Sequence, residues 1–224
     1  MDYNYGFPQT RKTDTRDKHE NEDALCLSDI NERFDNNIKD IKKLFTITEA
    51  LVQKGDCEQA NDIWRSQLVF LESALDTYFH DLLLYAYVDM YMSGPDSFTQ
   101  AFKNLKVPLF KISLARRKRQ NMHLTLDDRI TNIIRNEIKY STFMSDDRIA
   151  EACSALSISY YDYSEYLPKL KEIATRRNEI VHQTDRKSNA QERTQITEEK
   201  IKEYITIVCD FQQTIHSKYA EKCS

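Results

Sequence analysis

Turn-forming residues are scarce in this chain of 224 residues, with three glycines (Gly6, Gly55, Gly94) and four prolines (Pro8, Pro95, Pro108, Pro168). A sheet-rich chain of this length needs many more tight turns, so an all-helical fold is expected. Five scattered cysteines form no CxxC pair, which argues against a disulfide framework or a zinc site and for a reducing cytoplasm. The first 23 residues hold no apolar core of the kind a signal peptide needs. The most apolar region, around Phe79 to Met92, is broken by His80, Asp81 and Asp89, which excludes a membrane-spanning helix. The net charge of −4 creates no global attraction for nucleic acid, so any such contact must come from local patches. Glycine-rich phosphate loops, HExxH, GxSxG and histidine or cysteine clusters at metal-ligand spacing are also missing.

What is present is helical periodicity. Residues 1–27 are polar and aperiodic and are expected to form a flexible tail, leaving one domain over 28–222. From Ser28 to Lys54, Ile30, Phe34, Ile41, Phe45, Thr48 and Leu51 recur at helical spacing, with Ser28 or Asp29 to cap the start and Gly55 to close the end. A longer helix is predicted over Glu58–Met92, where Trp64, Leu68, Leu71, Leu75, Tyr78, Leu82 and Tyr85 alternate by three and four. Phe70, Phe79, Leu83 and Ala86 widen that stripe.

The stretch from about 96 to 145 reads as an insertion of short helices, including Ser97–Leu105 and Leu126–Phe143, and Asp146–Ser157 forms another. Pro168 suits the first turn of a helix that reaches about Gln183. A polar loop then leads to a last helix from Thr197, with Ile201, Tyr204, Ile205, Val208, Phe211, Gln212 and Ile215 inward.

On the Pro168–Gln183 helix, Leu170, Ile173, Ala174, Ile180 and Val181 make one apolar stripe, and Arg177 falls in its middle. Asn178 and His182, four residues apart, flank it. A charge so placed needs a carboxylate, a phosphate or water. Glu72 and Asp76, one turn apart on the long helix, are the natural carboxylates, and Asp76 is favoured as the one that orients Arg177 or His182. His80 is placed to hydrogen-bond Asp76 in support.

Arg177-Asn178-Glu179-Ile180-Val181-His182 resembles the R-x4-H signature of HEPN domains, with the polar residue often seen after the arginine. Leu71 to Leu82 looks like the first core helix of the RiboL-PSP branch, and the motif sits one loop before the final helix, as in that family. The similarity covers roughly residues 60–92 and 145–217. It implies an all-α, HEPN-like bundle of four to five long helices that forms a homodimer. It also implies a metal-independent endoribonuclease, with no cofactor, in a toxin, antiviral defence or stress role. An antitoxin or regulatory protein would restrain it. By carry-over, His182 is the general acid/base, Arg177 holds the scissile phosphate, and Asn178 orients the phosphate or His182. Imidazole is suited to such proton transfer near neutral pH, and a guanidinium fork to the charge of a phosphorane. The other reading is a non-catalytic module that binds nucleotide, RNA or protein. The basic run Arg116, Arg117, Lys118 and Arg119, together with Arg186 and Lys187, supplies the candidate RNA contacts.

Overall fold

The computed structural model describes residues 26–93, 126–139, 141–143, 145–183, 185 and 193–223. The expected tail before Cys26, the Ser97–Leu105 helix, the Arg116–Arg119 run, Arg186 and Lys187 all lie outside the described residues. Every regular element that is described is helical. α1 spans Leu27–Lys54 and α2 spans Cys57–Ser93. α3 (Leu126–Ile138), α4 (Asp146–Ala155) and α5 (Tyr160–Tyr163) are short. A 3-10 turn at Ser164–Tyr166 leads into α6 (Leu167–Gln183), and α7 (Glu198–Cys223) closes the bundle.

α1 begins one residue earlier than expected, because Asp29 acts from inside the first turn. Its Oδ2 accepts the Cys26 backbone N–H at 2.9 Å, which satisfies an orphan donor and puts negative charge at the helix start. Gly55 ends the helix as predicted. With φ at 85° it occupies the left-handed region, and the Gly55 and Asp56 N–H groups donate to Val52 and Leu51 carbonyls. The turn folds α1 back along α2.

α2 is the central post of the bundle and touches α1, α3, α4, α6 and α7. Leu68, Leu71, Leu75, Tyr78, Phe79, Leu82, Leu83 and Ala86 are all buried along it. Phe79 meets Phe143 and Phe211 at ring-centroid distances of 5.6 and 5.9 Å, which ties three elements to one point. The inward face of α7 is the predicted one, from Ile201 to Ile215, and Tyr219 extends it. Phe70 departs from the expected stripe and is exposed. It lies over a groove of about 490 Å³ between α1 and α2, lined also by Arg33, Asp40 and Leu44.

α3 stops at Ile138, five residues short of the predicted Phe143. The cause is tertiary. The Ile138 carbonyl accepts Ser141 N–H at 2.9 Å, and the Phe143 N–H donates to Asp76 Oδ1 at 2.8 Å. The Phe143 ring then packs on Phe79 and His80. α4 starts on Ser145, whose hydroxyl accepts the Arg148 N–H, and ends before Ser157, which has φ of 56°. No helix among the described residues is long and apolar enough to cross a membrane.

Candidate active site

α6 packs against α2 and α7, with Leu167, Leu170, Ile173 and Ala174 buried. Beyond Ala174 the predicted stripe leaves the core: Ile180 is half-buried and Val181 is 45% exposed. Arg177 therefore sits at the rim of the core, not in the middle of a sealed face.

Its partner comes from α2. Glu72, only 3% exposed, forms an ion pair through Oε2 with Arg177 Nε. The outer edge of the guanidinium remains partly open, at 30% side-chain exposure, and its Nη1 donates to Asn178 Oδ1 at 3.2 Å. Burial pushes the Glu72 carboxyl up to about 7; the Arg177 charge opposes that rise and the nearby Asp76 charge adds to it. Asn178 and His182 are both exposed on the outward side of the same helical turns. Arginine, amide and imidazole thus share one open helix end.

It is Glu72, not Asp76, that meets Arg177. The two carboxylates lie one turn apart on α2, and the register of α6 against α2 brings the first of them to the arginine. Asp76 instead holds the chain after α3, through the Phe143 N–H. His80 shares that task. Its Nδ1 lies 2.8 Å from the Asp76 backbone carbonyl and 3.5 Å from Asp76 Oδ2, while its Nε2 lies 3.1 Å from the Ile138 carbonyl. His80 and Asp76 together pin the end of α3 to α2.

A second charged cluster behind the motif was not foreseen. Asp185, three residues after His182, bridges Arg65 of α2 and Arg176 of α6. One signal was available in the sequence: Arg65 stands seven residues before Glu72, two turns away on the same face of a mostly apolar helix. Among the described residues no group of three or more histidine, cysteine, aspartate or glutamate side chains is placed to hold a metal ion.

The described bundle is all-helical, with the buried Glu72 carboxylate against Arg177 and with Asn178 and His182 exposed beside it. The family model for RiboL-PSP-HEPN matches residues 27–221, and the chain belongs to that family. The match takes in α1 and the middle segment as well as the two stretches that carried the resemblance in the sequence. No curated protein and no solved structure matches the chain.

Proposed function

We propose that the protein is a metal-independent endoribonuclease that works as a homodimer. The observation that supports this best is the split environment of the motif. The inner edge of Arg177 is held by the sealed Glu72, while its outer edge, Asn178 and His182 face outward together. In the proposed reaction, His182 takes the proton of an RNA 2′-hydroxyl as that oxygen attacks the adjacent phosphorus. The Arg177 guanidinium stabilises the extra charge on the phosphorane, and Asn178 orients the phosphate. The bond from phosphorus to the 5′-oxygen breaks, and His182 of a second copy supplies that oxygen with a proton. The products are a 2′,3′-cyclic phosphate and a 5′-hydroxyl. Arg116, Arg117, Lys118, Arg119, Arg186 and Lys187 are proposed to bind phosphates flanking the cut. Such an activity fits a cytoplasmic toxin, defence or stress enzyme, held in check by an antitoxin or regulatory protein.

The test is cleavage of a labelled single-stranded RNA in excess EDTA, with the product ends analysed. Cyclic phosphate ends and loss of cleavage in Arg177→Ala and His182→Ala support the proposal. Abolition by EDTA, or unchanged cleavage in both variants, removes it.

The alternative, a non-catalytic binding module, draws on the same ion pair. Arg177 already has an acidic partner, so the motif serves equally as a rigid, partly neutralised docking point for nucleotide or protein. RNA retention in a filter-binding assay without cleavage would favour that reading.

A further inference from the structure

The proposed reaction makes no use of the charged cluster behind the motif, yet that cluster is the most heavily bonded polar group in the described structure around α6. Asp185 is 2% exposed and occupies the left-handed backbone region, with φ at 60°. Its carboxylate oxygens take different arginines: Oδ2 meets Arg65 Nε and Oδ1 meets Arg176 Nη1. Both arginines also donate through Nη2 to one carbonyl, that of Thr194, at 3.1 and 3.0 Å. The backbone closes the same knot. Asp185 N–H donates to the Glu179 carbonyl at 2.9 Å, and Thr194 N–H donates to the Asp185 carbonyl at 3.0 Å. At the outer edge, Asp62 pairs with Arg65 and Arg193, and Glu179 pairs with Arg176.

Ion pairs taken out of water add little net stability, since desolvation offsets most of their attraction. What a forked, doubly anchored pair supplies is geometry. Arg65 and Glu72 lie two turns apart on α2, about 10 Å along its axis. Each reaches a neighbouring residue of α6, Arg65 reaching Arg176 through Asp185 and Glu72 reaching Arg177 directly. Side chains of adjacent helical residues point about 100° apart, so these two links together fix both the slide and the rotation of α6 on α2. They also run in opposite senses, with α2 presenting a cation at one level and an anion at the other.

We infer, on the reading that the motif is a nuclease centre, that Asp185 is its positioning residue. By drawing Arg65 and Arg176 onto one carboxylate it sets the rotation of the last turns of α6, and with it the direction in which Arg177, Asn178 and His182 meet an RNA phosphate. Asp185 itself touches no reacting atom.

The experiment uses the full chain with Asp185→Asn, alone and combined with Arg65→Gln. Measured are kcat and KM on single-stranded RNA, Tm, and the His182 ring signals by NMR, assigned with His182→Ala. Asp185→Asn should lower kcat on the order of 10–100-fold, with little change in KM. The double variant restores the charge balance and should recover Tm, while kcat stays low and the His182 signals stay displaced. Recovery of kcat together with Tm overturns the inference, as do wild-type kcat and unmoved His182 signals in Asp185→Asn. Should Asp185→Asn fail to fold, Arg65→Lys keeps the charge but loses the fork, and the same split between Tm and kcat is expected. A wild-type chain that cleaves no RNA removes the nuclease reading alone. The His182 signals need no RNA, and their response to Asp185→Asn still decides whether Asp185 sets the geometry of the motif.

Discussion

Glu72 and Arg177 form an ion pair across the α2–α6 contact with the carboxylate sealed in the core and the guanidinium reaching the surface. The asymmetry matters for both partners. The carboxylate lacks water to stabilise its charge, and the arginine gains a fixed inner edge without losing its outer one. A phosphate approaching from solvent would meet a guanidinium whose orientation is already set.

The same burial predicts a pH signature. Because the Glu72 carboxyl rises to about 7, the native protein keeps a proton there that the unfolded chain releases at the ordinary carboxylate value. The linked stability is full below that ordinary value and is lost as pH rises through about 7. His216 works in the opposite sense. Burial beside Tyr78 holds its imidazole below the usual value, so its contribution is full above that value and is lost as pH falls. Glu72→Gln leaves His216 untouched and isolates the carboxylate. Urea unfolding across pH 5–8 should show Glu72→Gln gaining on wild type as pH rises. Parallel curves for the two would mean that Glu72 carries no such linkage.

Asp76 is predicted to act on the fold more than on the reaction. Asp76→Ala strands the Phe143 N–H and should cost about 1–3 kcal/mol in chemical unfolding. Asp76→Asn keeps an acceptor oxygen, so it should cost less and retain RNA cleavage. A folded Asp76→Asn chain with abolished cleavage would return Asp76 to the reacting groups.

The contrast between Glu72 and Asp76 shows where sequence reading reaches its limit. Periodicity placed both carboxylates on one face of α2, but only the register between two helices decides which of them meets Arg177. The end of α1 and the inward face of α7 were legible because Gly55 and a regular apolar repeat encode them locally. The end of α3 was not, since a carboxylate 67 residues away captures the Phe143 N–H. Phe70 and Val181 were expected on buried stripes yet are exposed, because spacing says nothing of whether a neighbour covers them. Asp185 and Arg65, 120 residues apart, carry no local mark of their pairing.

Gly55→Ala isolates the backbone contribution at the α1–α2 turn. A Cβ built there meets nothing within 4 Å, so the cost is only that of holding an L-residue at φ 85°. Thermal or urea unfolding should show a loss of about 1–2 kcal/mol, and Gly55→Asn should lose less, because asparagine tolerates this region better. A loss well above that range would mean that the turn carries contacts beyond its own backbone.

Val181 offers a test of the proposed dimer that is separate from the chemistry. It is 45% exposed, while Ile173 and Ala174, two turns back on the same helix, are buried. With Asn178 and His182 exposed beside it, Val181 marks the surface where a second copy is proposed to sit. An acidic replacement would confound the result, since it would lie one turn from Arg177 and compete with Glu72. Val181→Gln avoids this by exchanging an apolar side chain for an uncharged polar one. An exposed substitution of this kind should change monomer stability by no more than about 0.5 kcal/mol. Loss of apolar burial on both sides of a two-fold contact should still weaken association, read by sedimentation, and cleavage should fall in step with the dimer fraction. His182→Ala should behave in the opposite way, leaving association intact while lowering cleavage on the order of 10²–10⁴-fold. A Val181→Gln chain that is monomeric and fully active would place the whole reaction within one copy. The second proton transfer would then need a donor other than a partner's histidine.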